Sequence, residues 1–138
     1  MSGPGLKHVD SHAAIHEAAL NEARELNELM AKLLQEGESN KALEVAYVAI
    51  EHWETRTLRH AAAEEEGLYL ELLEEHPKLK DNIVALIRDH NTMRYFVEKI
   101  KRALEQDGIT EEVLQLFHGL VQVDAYHNLE EERILPDH

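Results

Sequence analysis

The stretch His60-Ala61-Ala62-Ala63-Glu64-Glu65 returns as His127-Asn128-Leu129-Glu130-Glu131-Glu132, and each copy is followed three residues later by a leucine, Leu68 or Leu135. His and Glu at i and i+4 share one face of an α-helix, one turn apart. Each copy can therefore offer an imidazole nitrogen and a carboxylate oxygen to one cation. Two copies facing each other would make a two-metal site. The fold follows from asking how the chain could bring them face to face.

Working outward, the breaks come first. Gly37-Glu38-Ser39-Asn40 interrupts the chain with a helix-starting cap, and His76-Pro77 interrupts it again, because the residue before proline avoids helical geometry. Gln106-Asp107-Gly108 ends a helix; Thr110-Glu111-Glu112 opens the next with a cap and an acidic first turn, and Pro136 closes it. Four helices are predicted, over 9–36, 40–75, 80–106 and 110–134, with residues 1–8 as a loose arm. Alternation of the strand kind is absent. Short connections between long helices imply antiparallel neighbours, hence an all-α, up-down-up-down four-helix bundle forming one domain over 1–138.

Steps of three and four then mark the inward stripes. They are Val9, His12, His16, Ala19, Ala23, Leu26, Met30 and Leu33 in the first helix; Leu43, Ala46, Ile50, Trp53, Thr57, His60, Glu64 and Gly67 in the second; Ile83, Leu86, His90, Met93, Val97, Ile100 and Leu104 in the third; and Val113, Phe117, Leu120, Asp124, His127, Glu131 and Ile134 in the fourth. Each is apolar at one end and interrupted by His or Glu at the other. Measured from the turn near residue 38, His16 and His60 both lie about 22 residues away, roughly 33 Å along each helix. From the turn near 108, His90 and His127 lie about 18 and 19 residues away on the same rise. All four helices can thus place a donor in one layer. The halves also align, His16 answering to His90, so the chain reads as an αα-hairpin used twice with pseudo-twofold symmetry. His12 breaks the repeat, since Leu86 stands in its counterpart's place. It faces inward one turn beyond His16 and is a candidate fifth imidazole.

A lone His-x-x-x-Glu is most often a solvated pair. His8, His52, His76, His118 and His138 fall off the layer or in loops and are expected at the surface. Convergence is what favours a metal. Several imidazoles and two carboxylates buried in one layer without partners would cost several kcal/mol per ionised group, roughly. Cations neutralise the carboxylates and use the lone pairs. Thr57 and Asp124, each three residues before a motif histidine, are expected to orient ring N–H groups, with Asp89 and Glu17 as weaker candidates. Trp53, Met93, Val97 and Leu120 would wall the layer beneath the metals.

Composition narrows the function. A net charge of −14 over 138 residues disfavours nucleic acid, and the absence of cysteine excludes disulfides, thiolate metal sites and thiol catalysis. No apolar run reaches membrane-spanning length and no signal peptide precedes the first helix, so a cytoplasmic location is expected. Imidazole plus carboxylate suits Fe, Mn or Zn.

The pattern His16…His60-x-x-x-Glu64…His90…His127-x-x-x-Glu131, over residues 9 to 135, resembles the hemerythrin family, specifically its single-domain bacterial hemerythrin-like (HHE cation-binding) members. The resemblance implies a non-haem di-iron centre with an oxo or hydroxo bridge, Mn or Zn being possible substitutes. It implies Glu64 and Glu131 as bridging carboxylates. His16, His60, His90 and His127 would be terminal ligands, with His12 completing a five-histidine set. The oxygen-carrying members pair histidines on the third helix and use a longer-spaced aspartate on the fourth; here the pair His12/His16 is on the first, and the fourth repeats His-x-x-x-Glu. The expected function is reversible binding of O2, or of NO, for storage, delivery or sensing, by a binding protein rather than a catalyst, monomeric or weakly homo-oligomeric. The other classes are a di-iron oxidoreductase handling NO or peroxide, an iron-donating stress protein, or a plain helical interaction domain.

Overall fold

The computed structural model describes the backbone of residues 4–135 and the side chains of residues 13–135. Four long helical segments account for them, and no strand occurs among the described residues. The first is α1 (Pro4–Gln35). The second is composite: α2 (Ser39–His52), a π-helical turn (Trp53–Thr57), α3 (Leu58–Glu66) and, past Gly67, α4 (Leu68–Glu75). A 3₁₀ turn (Pro77–Leu79) leads to α5 (Lys80–Asp107), and α6 (Glu111–Ile134) follows.

The ends obey local chemistry. Pro4 takes the first position of α1, where its missing N–H costs nothing and its fixed φ suits the helix. The predicted arm is therefore helical from Pro4 onward. α1 stops at Gly37, whose φ of +79° only glycine adopts cheaply. There Glu38 N–H reaches Leu33 O at 2.9 Å and Gly37 N–H reaches Leu34 O at 3.1 Å, the paired closure that satisfies a helix's last carbonyls. His76 leaves the helical region (φ −135°, ψ 72°), as a residue before proline is biased to do. Thr110 caps α6 by accepting from Val113 N–H at 3.3 Å, and Glu111 and Glu112 face the positive end of the helix.

The second segment departs from the continuous helix predicted over 40–75. A π turn holds one residue more than an α turn and rotates everything after it. At this one Trp53 and Thr57 both turn inward, and so does His52 just before it. The break at Gly67 (φ −123°, ψ −84°) separates α3, which carries His60 and Glu64, from α4.

α1 packs against α2 and α6, α5 against α6, and the second segment against α5. The main core holds Met30, Trp53, Ile100 and Phe117, all fully buried, each side chain contributing about 1.5–3 kcal/mol by its removal from water. A smaller core of Tyr69, Leu72, Ile83 and Leu86 joins α4 to α5. Along α5, His90 lies between Leu86 of the small core and Met93 of the large one, so the polar layer is held between two apolar ones.

Candidate metal centre

Six side chains from four segments meet in that layer. α1 brings His16, α3 brings His60 and Glu64, α5 brings His90, and α6 brings His127 and Glu131. They form two groups that share Glu64: Glu64, His90, His127 and Glu131 on one side, all buried, and His16, His60 and Glu64 on the other. Within each group one donor atom per residue lies within 4.8 Å of the others.

The carboxylates divide their oxygens between the groups. Glu64 turns Oε1 to His90 Nε2 at 3.3 Å, and Oε2 to His16 Nε2 at 3.4 Å and His60 Nε2 at 3.7 Å. Glu131 turns Oε1 to His16 Nε2 at 3.3 Å and Oε2 to His127 Nε2 at 3.5 Å. Each carboxylate thus spans from one group to the other.

The outer partners fix which ring nitrogens face inward. Glu65 Oε2 accepts from His90 Nδ1–H at 2.7 Å, and Asp89 Oδ2 accepts from His127 Nδ1–H at 3.0 Å. A carboxylate only accepts, so in the neutral rings both protons sit on Nδ1 and both Nε2 lone pairs point inward. Those nitrogens are 3.1 Å apart, with carboxylate oxygens beside them. Lone pairs aimed at one another repel, and a cation between them turns that repulsion into ligation. The donor set therefore fits a metal, including the second hydrogen bond that ligating histidines need.

The electrostatics without metal agree. Burial lowers the His16 pKa, but hydrogen bonds to Glu131 and Glu64 outweigh it and raise the ring to about 10. Burial likewise lowers His127, and its bonds to Glu131 and Asp89 raise it by more. Burial raises Glu131, but His127, His16 and the Tyr69 hydroxyl hold it well below the usual carboxylate range. His60 is lowered by burial. Protons thus do in this layer what cations can do better.

A family model for the hemerythrin HHE cation binding domain matches residues 8–136. The chain belongs to the hemerythrin HHE family. No curated protein and no solved structure gives a significant match. As a hemerythrin-family chain with a buried His/Glu cluster, the protein fits metal-ion binding.

The structure brings together six of the seven site residues predicted for this hemerythrin-family chain. The side chain of the seventh, His12, lies outside the described residues, as do those of His8 and His138. His76 and His118 are exposed, as expected. His52 is not. It is buried, one residue before the π turn, with Nε2 donating to Ala19 O at 2.8 Å and Nδ1 3.4 Å from Glu22. Thr57 and Asp124 do not orient the motif histidines: neither Thr57 Oγ1 nor Asp124 Oδ1 has a hydrogen-bond partner. Asp89 serves His127 rather than its neighbour His90, because it projects across to α6; Glu17 is exposed. Two contributors escaped the sequence reading. Glu65 looked like part of a solvated acidic run, yet it reaches His90 and is itself held by Arg94 at 3.0 Å. Tyr69, fully buried, donates to Glu131 and stacks on the His90 ring at 5.7 Å. The second glutamate of each motif copy was the available signal for Glu65; Tyr69 had none, since its position depends on the break at Gly67.

Exposure differs across the layer. His90 and His127 are sealed (1% and 0% exposed), whereas the side chains of His16 and His60 are 10% and 24% exposed. Two clefts lead to that end. One, of about 310 Å³, lies between α1 and the π turn and is lined by His16, His60, Thr55, Arg56, Thr57 and Arg59 among others. The other, about 270 Å³, lies between α1 and α6, with His16, Glu17, Arg24, Asn128 and Glu132 in its wall. No described helix is long and apolar enough to cross a membrane.

Proposed function

We propose that this chain is a di-iron protein that binds O2 reversibly. His16 and His60 would hold one iron, His90 and His127 the other, and Glu64 and Glu131 would bridge them; His12 is a further candidate ligand from α1. The observation that carries this reading is the division of each carboxylate's two oxygens between the two histidine pairs. Iron is chosen because an imidazole and carboxylate set without thiolate suits it, with Mn or Zn as substitutes. The bundle in this reading is up-down-up-down, two hairpins related by a pseudo-twofold, in one domain. Contacts support it: Ala19 meets His52 while His16 meets Glu64, and His90 meets His127 while Phe96 meets Gly119, so partners run in opposite directions.

When bound, a ferrous pair supplies the electrons for reversible O2 addition. The chain's own residues set the conditions. Glu65 and Asp89 hold the His90 and His127 tautomers, and Tyr69 fixes Glu131. Trp53, Met93, Val97 and Leu120, all buried, keep water and protons from the inner side of the layer. The partly exposed His16 and His60 end is where a small gas would arrive. An imidazole-rich set carries less anionic charge than a carboxylate-rich one and favours reversible binding over O2 cleavage. NO would fit the same position. In this reading it would act in the cytoplasm, as a monomer or weak homo-oligomer, for storage, delivery or sensing. Visible spectra of the anaerobic, oxygenated and re-evacuated protein test this: a new band that appears with O2 and disappears under vacuum is expected, and immediate irreversible oxidation would overturn it.

A further inference from the structure

The cleft between α1 and the π turn has a character unlike the rest of the surface. Acidic residues outnumber basic ones 28 to 14 in the chain, yet among the described residues no carboxylate lines this cleft, while Arg56 and Arg59 both do. The cleft between α1 and α6 instead carries Glu17 and Glu132. Arg56 is held loosely by Glu22 at 3.4 Å, outside the cleft, and Arg59 makes no ion pair among the described residues. Thr57 is more than nine-tenths buried, lines the cleft, and has a hydroxyl with no hydrogen-bond partner. A buried hydroxyl without a partner is disfavoured, and an anion oxygen would supply the partner. Thr55, Arg56 and Thr57 all come from the π turn, an irregularity that is frequent at functional sites.

We propose that this cleft binds a small planar oxyanion, of the nitrite or short-carboxylate class, beside His60. Guanidinium groups pair two oxygens of such an anion in parallel hydrogen bonds, and charge-assisted bonds are the strong ones. The Thr57 hydroxyl supplies a further donor from below. The anion would lie at the partly exposed end of the layer, so the cleft selects charged ligands for that end while the α1/α6 cleft does not. The role of the anion rests on the di-iron reading; the binding site itself does not.

Isothermal titration of the metal-loaded protein with sodium nitrite, and separately with sodium formate, tests this, with metal content measured on the same samples. One anion per chain is expected. Affinity should fall at least tenfold in the double variant Arg56→Gln/Arg59→Gln and several-fold in Thr57→Val, and should stay within twofold of the parent in Arg24→Gln. Tighter binding of nitrite than formate, or the reverse, names the source within the class. No binding to the parent protein, or equal affinity in the parent and the double variant, overturns the proposal. If the parent takes up no metal on reconstitution yet binds the anion, the cleft stands and the di-iron reading is overturned instead.

Discussion

At the scale of single residues, the centre depends on which atom of each side chain faces inward. The clustering of the six side chains was legible because imidazole and carboxylate at four-residue spacing, on stripes otherwise apolar, have few other reasons to be buried together. Their supports were not legible, because they cross between helices: Asp89 serves a ring on α6, and Glu65 serves one on α5. Replacing either, as Asp89→Asn or Glu65→Gln, should weaken metal affinity by about 10–100-fold while leaving the helix content intact, measured by competition with a chelator of known affinity. A second expectation concerns pH. In the metal-free protein the His16 pKa is raised from 6.5 to about 10 by Glu131 and Glu64 against the effect of burial. A raised imidazole favours the folded state fully below the unfolded value and loses that contribution as pH climbs through the folded one. The melting temperature of metal-free protein should therefore fall between about pH 7 and 10. His16→Gln should flatten that fall, and an equally steep fall in the variant would show that another group is responsible.

At the scale of elements, α5 and α6 match their predicted stripes almost residue for residue. All seven predicted inward positions of α5 are buried, from Ile83 to Leu104. The second segment also keeps its predicted inward side, with Ala46, Ile50, Trp53, Thr57 and Glu64 buried and Leu43, His60 and Gly67 half-buried; what periodicity does not signal is the π turn, the break at Gly67 and the burial of His52. The same turn builds the arginine-lined cleft, so the irregularity that periodicity misses is the one that shapes access to His60. The first turn between helices is more predictable. Gly37 at φ +79° lets α1 close on itself, and a side chain there costs about 1 kcal/mol. Gly37→Ala should lower thermal stability by that amount in urea or thermal melts and leave metal content unchanged, since the turn lies at the far end of the bundle from the six donors.

At the scale of the whole molecule, the polar layer divides the interior into a large core and a small one. Without cations that layer is held by protons and hydrogen bonds among groups that burial disfavours as ions. Metal binding is then also folding free energy, and removal of metal by a chelator should lower the melting temperature substantially. The small core of Tyr69, Leu72, Ile83 and Leu86, which touches the layer through Tyr69, should loosen first, seen as faster amide exchange in α4 than in the lower half of α5. The central claim is that one pair of carboxylates is shared between two ions. Its most direct measurement is the metal content per chain of anaerobically reconstituted protein, taken alongside Glu64→Ala. Two irons per chain in the parent, with both lost when Glu64 is removed, is the predicted result. One iron or none in the parent, or a variant that keeps one iron at full affinity, would contradict it.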